Sequence, residues 1–229
     1  GAAGAFSQYV VVREDRALTL KPRNVSCQQA AAVPIAGVSA LQALRDEGKI
    51  SAATRVLING ASGGVGTYAV QIAKSYGAEV TGVCSTRNIE LVRSLGADHI
   101  IDYTKQDFTE GEEKYDLIID NVGNHSPLAI SSVLEPEGIL VMVGGPSGNW
   151  VGPLIRPLQS LIISPFVDQK IKLLMAQMKA DDLAALADLM ATGKMTSVID
   201  RRYPLADVPA AIRYSEEGRA QGKIVIDVD

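Results

Sequence analysis

Val56-Leu57-Ile58-Asn59-Gly60-Ala61-Ser62-Gly63-Gly64-Val65-Gly66-Thr67-Tyr68-Ala69-Val70 reads as a buried strand, a glycine-rich turn and the start of a helix. Within it, Ala61-x-Gly63-x-x-Gly66 keeps the spacing of a dinucleotide-binding turn, with Ala in the first glycine place. A small first residue makes the tight turn. Gly63 leaves room for a pyrophosphate against the backbone, and Gly66 lets the helix pack closely on the strand. The phosphates then lie at the helix N-terminus, where unpaired N–H groups and the helix dipole favour anions. The spacing alone is weak evidence, but an apolar β-rich run precedes it and an amphipathic helix follows, as the motif requires. A glycine-rich turn with no ligand is the plainer alternative.

Outward from this stretch the chain alternates strand and helix. Strands are expected over Arg55–Asn59, Glu79–Cys84, His99–Asp102, Tyr115–Asp120 and residues 139–143. Helices are expected over residues 65–76, 88–95 and 127–134, with a charged helical stretch near 103–113. This rhythm predicts an α/β fold, a doubly wound parallel sheet with helices on both faces. Runs such as Leu117-Ile118-Ile119 are apolar throughout, as strands buried on both faces are. Upstream, residues 6–12 read as a strand, Ser26 caps a helix over 27–33 stopped by Pro34, and a second helix covers 37–47 up to Gly48. Downstream of a turn-rich loop over 144–148 comes the single tryptophan, Trp150. Residues 170–175 read as strand or helix, 181–191 as a helix, 198–203 as a sixth strand, 208–214 as a helix and 223–228 as a closing strand.

The 229 residues hold one large domain, or one domain and part of another. Hydrophobic residues make up 47% and charged residues 21%, an ordinary globular balance. A net charge of −4 leaves no electrostatic footprint for nucleic acid. No apolar run reaches the ~18 residues of a membrane span; residues 154–167 are apolar but broken by Arg156, Pro157 and Pro165. Cys27 and Cys84 are too few for a disulfide framework and suit a reducing compartment, taken as cytoplasmic. The first methionine is Met142, and Gly1-Ala2-Ala3-Gly4 reads as a tag scar or a truncation point with no signal peptide. A fragment of a longer protein is therefore expected.

Pro34-Ile35-Ala36-Gly37-Val38-Ser39-Ala40, the Asn59–Gly66 turn, Leu95-Gly96-Ala97-Asp98-His99-Ile100-Ile101-Asp102-Tyr103, Asp120-Asn121-Val122-Gly123 and Gly222-Lys223-Ile224-Val225 follow one another in an order with a precedent. They resemble the medium-chain dehydrogenase/reductase superfamily, and within it the zinc-independent quinone oxidoreductase branch. The resemblance implies a GroES-like catalytic domain with a Rossmann dinucleotide-binding domain inserted in it. Residues 1–34 are then a remnant of the catalytic domain, 35–205 the Rossmann domain, and 206–229 a helix and strand returning to the catalytic domain. Most of that family's N-terminal segment is missing from this sequence, so the chain is mainly the cofactor half.

The cofactor is read from the end of the second strand. An NAD-preferring site carries a carboxylate there, about 20 residues past the glycines. Here the strand ends Val83-Cys84-Ser85-Thr86-Arg87, and no acid stands nearby until Glu90. Ser85 and Thr86 can donate to a 2′-phosphate and Arg87 can pair with it, which points to NADPH. The resemblance adds Tyr103 at the same phosphate, Ser39 at the nicotinamide amide, and Asn121, Val122, Gly144 and Gly145 along the nicotinamide ribose and ring. With Lys223 and the turn residues Ala61, Ser62, Gly63, Gly64, Val65 and Gly66, these make the expected cofactor site. A solvated lysine is the plain alternative for Lys223.

No metal is expected. Ile35 stands where the zinc-dependent relatives carry a Cys or Asp, and the two cysteines are far apart. His125 borders the expected crevice, but no orienting carboxylate stands at motif spacing, so an ordinary loop histidine is the first reading; His99 reads as packing. No nucleophile elbow appears, and no catalytic residue is assigned; the proton donor is expected in the missing segment. The expected activity is NADPH-dependent hydride transfer to a quinone or an activated enone. An enoyl-thioester reductase is the alternative within enzymes. A nucleotide-binding module without catalysis and a scaffold that keeps only the fold are the others, the last disfavoured by intact Ser85, Arg87 and Tyr103. The resemblance implies a homodimer that pairs edge strands where residues 170–175 lie, and an apolar unpaired edge is also a liability in a monomer.

Overall fold

Apolar runs long enough to be buried on both faces decide the architecture. In the computed structural model, which describes residues 6–13, 17–144 and 169–228, β1 (Arg55–Asn59), β2 (Glu79–Cys84), β3 (His99–Asp102), β4 (Tyr115–Asp120), β5 (Leu134–Met142) and β6 (Lys170–Leu173) form one parallel sheet. Its order is β3-β2-β1-β4-β5-β6. The chain steps outward from β1 first in one direction and then in the other, so a switch point lies between β1 and β4, where Asn59 pairs in register with Asp120.

Successive strand side chains point to opposite faces. Val56 and Ile58 pack with Tyr68, Ala69 and Ile72 of α3 (Gly66–Ser75) on one face. Leu57 and Ile118 pack with Phe108 and with Ile130 of α5 (Pro127–Ser131) on the other. The sheet is thus covered on both sides, as a doubly wound fold requires.

The N-terminal helices differ slightly from their sequence reading. Ser26 caps α1 (Cys27–Ala32) in a reciprocal box with Gln29. Pro34 does not merely end α1; it occupies the first turn of α2 (Pro34–Gln42), where its missing N–H costs nothing. A π-helical turn, Ala43–Glu47, carries α2 on to Gly48. Beyond the sheet lie α4 (Ile89–Ser94), α6 (Ala180–Ala191) and α7 (Val208–Glu216).

Several expectations are corrected. Residues 6–12 form no strand; their Val and Tyr side chains stand exposed, and β-propensity has no effect without a partner to pack against. The stretch 103–113 holds only one 3-10 turn, Phe108–Glu110. Asp102 and Asp107 accept hydrogen bonds from the Thr104 and Thr109 amides, a local alternative to the helix. The helix expected to run to residue 134 stops at Ser131, because Leu134 already pairs with Tyr115 as β5. β7 (Ile199–Pro204) is not part of the six-stranded sheet; it pairs in parallel with β8 (Lys223–Asp227) in a second, two-stranded sheet. Trp150 and residues 145–168 lie outside the described residues.

The small sheet is tied beside the glycine turn. Tyr68 Oη donates to Ser197 Oγ (2.8 Å), which donates to the Gln29 carbonyl (2.7 Å). The Gly222 amide donates to the Ser62 carbonyl (3.0 Å).

Candidate cofactor site

The turn is built by backbone approaches that only small residues permit. Gly60 has φ +78°, and a Cβ there would meet Val122 Cγ2 at 2.8 Å. The Ala61 amide donates to the Val83 carbonyl and the Gly63 amide to the Gly60 carbonyl, both at 3.0 Å. A Cβ on Gly66 would overlap the Gly60 carbonyl oxygen, so Gly66 sets how closely α3 packs on the turn. Among the described residues the amides of Gly64, Val65 and Gly66 meet no acceptor. They are open donors at the N-terminus of α3.

A crevice of about 620 Å³ runs over this turn and past the carboxyl ends of β1, β2 and β4. Ser62, Gly63, Gly64, Val65 and Gly66 line its floor. Ser85, Arg87 and Tyr103 line the β2 end; Asn121 and Val122 line the β4 end; Lys223 overhangs the middle. These expected residues are brought together. Ala61 is fully buried behind the turn. Ser39 lies behind the wall, its hydroxyl donating to the Ile35 carbonyl (2.8 Å). Thr86 faces away and donates to Asp102 Oδ2 (2.5 Å). The Gly144 amide donates to the Asp120 carbonyl (3.2 Å), and a Cβ on Gly144 would overlap the Asn121 carbonyl oxygen; Gly144 therefore lets β5 end tightly against β4. Gly145 lies outside the described residues.

Residues that sequence reasoning did not single out complete the walls. The loop before β8 folds onto the turn. Asn88 is buried; its Nδ2 donates to Ser62 Oγ (2.8 Å) and its Oδ1 accepts from Gln221 Nε2 (2.6 Å). Arg87 Nη2 donates to the Arg219 carbonyl (2.7 Å), and Arg219 is among the residues lining the β2 end. Local spacing carries no signal for a contact across 132 positions of sequence; only the closing strand, read as returning, hints at it.

At the β4 end, Asp120 is 0% exposed. Its Oδ1 accepts from Asn59 Nδ2 (2.9 Å) and from the Val122 (3.2 Å) and Gly123 (2.9 Å) amides, which fixes the loop after β4. Asn121 Nδ2 donates to the Asn59 carbonyl (2.9 Å), while its Oδ1 is buried with no partner among the described residues. A buried acceptor on a crevice wall is a point that a bound ligand's donor can meet. Ile35, 69% exposed, forms an apolar lip nearby.

The charges at the β2 end favour an anion. Asp102, at the end of β3, is the nearby carboxylate. The Thr86 hydroxyl first, then the Thr104 hydroxyl and amide, hold it at about 2 and occupy its oxygens. Asp102 does not line the crevice, whereas Arg87 and Arg219 are both among its lining residues. Lys223 has no carboxylate partner among the described residues, and burial lowers its pKa from the usual lysine range.

The histidines stand apart. His125 packs edge-on to Phe108 (centroids 4.8 Å apart), with Nδ1 3.6 Å from Asp107 Oδ2, so a carboxylate that spacing did not reveal lies beside it. It does not line the crevice. His99 pairs with Glu79 (2.8 Å). Among the described residues no three His, Cys, Asp or Glu side chains gather as metal ligands.

Fold and site together define a doubly wound dinucleotide-binding domain: strand order, switch point, open amides on a glycine turn and cations at one end agree. Over residues 95–226 the chain matches the family described as zinc-binding dehydrogenase. It is 34% identical over 236 residues to the chloroplast envelope quinone oxidoreductase homolog of Arabidopsis thaliana, covering 98% of this chain and 69% of that one. It is 32% identical over 260 residues to NAD(P)H oxidoreductase RTN4IP1, mitochondrial, of Mus musculus, covering 98% and 61%. It superposes on the structure of the quinone oxidoreductase from Coxiella burnetii with a TM-score of 0.80 at 29% identity, over 92% of this chain and 64% of that one. The chain belongs to the medium-chain dehydrogenase/reductase superfamily. It spans about two thirds of the length of the relatives it matches.

Proposed function

We propose that this chain is the cofactor-binding part of an NADPH-dependent, zinc-independent oxidoreductase that reduces a quinone or an activated enone. The observation that carries the reading is the crevice itself: open amides at Gly64–Gly66, flanked by Arg87 and Arg219, with Asp102 turned away into its threonines. Bound NADPH supplies the hydride. The turn and Lys223 hold its pyrophosphate, Arg87 and Arg219 with Ser85 and Tyr103 hold the 2′-phosphate, and the Asn121 side chain and Val122 meet the nicotinamide half. The names of the relatives, quinone oxidoreductase and NAD(P)H oxidoreductase, support a nicotinamide cofactor and a quinone acceptor.

Ile35 supplies no metal ligand at the lip of the crevice, so the acceptor is one that spreads the arriving charge by conjugation. The β7–β8 pair, outside the main sheet, supports the assignment of the last strand to a GroES-like catalytic domain. We also propose a homodimer through the β6 edge, and a reducing compartment such as the cytoplasm. No helix among the described residues is long and apolar enough to cross a membrane.

The test is turnover. NADPH oxidation with a panel of quinones and enones is expected. NADPH binding without turnover by the chain or its full-length form contradicts the enzyme reading and favours a nucleotide-binding module. Turnover restricted to enoyl thioesters moves the acceptor to that class.

A further inference from the structure

Lys223 differs from the other described lysines. Lys74, Lys105, Lys170 and Lys172 each pair with a carboxylate. Lys21 and Lys114 donate to backbone carbonyls, and Lys49, Lys179 and Lys194 stand exposed to water. Lys223 is partly buried, has neither carboxylate nor acceptor among the described residues, and lies over the glycine turn. Its backbone is fixed: the amide donates to the Val198 carbonyl (2.8 Å), and Gly222 before it, at φ +83°, is pressed so closely on Val198 that any Cβ would collide. Its stem runs along Gly64, with Cδ 3.2 Å and Nζ 3.5 Å from where a Gly64 Cβ would stand. An amine is thus held beside Gly64, in the crevice whose floor carries the open amides of Gly64, Val65 and Gly66 and whose lining includes Arg87 and Arg219.

We propose that Lys223 is a covalent modification site for small phosphate-bearing aldehydes, the glycine turn holding the phosphate and the lysine amine capturing the aldehyde. The proposal shares with the functional reading only the phosphate-holding role of the turn, not the identity of the cofactor. Two properties favour this residue. Open amides, Arg87 and Arg219 draw the anion in. Burial raises the fraction of Lys223 that is neutral, and the neutral amine is the nucleophile. Its nitrogen lone pair attacks the aldehyde carbon to give a carbinolamine. The carbonyl oxygen then leaves as water with the two amine hydrogens, and a C=N bond replaces the C=O bond. Nothing is oxidised or reduced. The imine fills the crevice, so such compounds act as slow, reversible inhibitors of any ligand whose phosphate the turn holds.

Pyridoxal 5′-phosphate is the probe. The protein is incubated with it, reduced with borohydride, and its peptides are mapped by mass spectrometry. One pyridoxyl group on Lys223 is expected, formed at least about tenfold faster than with unphosphorylated pyridoxal because the phosphate is bound first. Lys223→Arg, folded by circular dichroism, should take up none. Labelling spread over Lys49, Lys179 and Lys194 with Lys223 unmodified overturns the proposal, as does equal labelling by pyridoxal. Labelling of Lys223 that saturating NADPH does not suppress supports the modification site and removes the cofactor reading. NADPH binding with no labelling of Lys223 does the reverse.

Discussion

Thr86 and Asp102 form a pair at the margin of the crevice. Asp102 stands opposite Cys84 in register, at the end of the adjacent strand. The Thr86 hydroxyl takes up Oδ2 and Thr104 takes up Oδ1, which lowers the carboxyl pKa to about 2. The sign follows. A lowered folded-state value means stabilisation that is complete above the unfolded value of ~3.9 and lost as pH falls toward the folded one. Thr86→Val removes the strongest donor. The Asp102 carboxyl should then titrate upward from about 2 toward the ordinary ~3.9, read from its carboxyl carbon by NMR. The variant should also lose less stability than the parent between pH ~4 and ~2. An unchanged titration contradicts the pairing. Sequence placed Thr86 on the phosphate because a hydroxyl beside an arginine fits that role; the carboxylate that claims it comes from another strand.

At the scale of elements, β1 to β4 were legible to the residue. β1, β2 and β4 are largely buried on both faces and bounded by a charge, a glycine or a turn, whereas β3 is half-buried and legible from the apolar pair Ile100-Ile101 between His99 and Asp102. The stretch 103–113 was not, since whether Asp102 and Asp107 take local amides depends on the turns around them. β6 raises a different issue. It pairs with β5 alone among the described residues, so its outer edge is open. The Leu174 amide donates inward to the Met142 carbonyl (2.9 Å). Backbone amides alternate sides along a strand, so the Leu173 amide points outward. The protein should sediment as a dimer. Leu173→Pro removes an outward donor at the end of an edge strand and should yield monomers. A monomeric parent protein refutes the dimer.

For the whole molecule, the crevice is a product of chain closure. The glycine turn, Ser85, Arg87 and Tyr103 were visible because they lie within one βαβαβ run. Arg219 and the Gln221 bond to Asn88 were not, because the loop before β8 returns from the far end of the chain to meet the turn. That closure brings a second arginine to the β2 end, and in the proposed function the charge there selects NADPH. The most direct measurement is a titration of NADPH and NADH into the protein, Arg87→Ala and Arg219→Ala. The parent should bind NADPH tighter by about tenfold or more, which is ~1.4 kcal/mol. Each substitution should weaken NADPH by roughly tenfold while NADH changes by less than about twofold. Equal affinity of the parent protein for both nucleotides, or equal loss of both in the variants, contradicts the account.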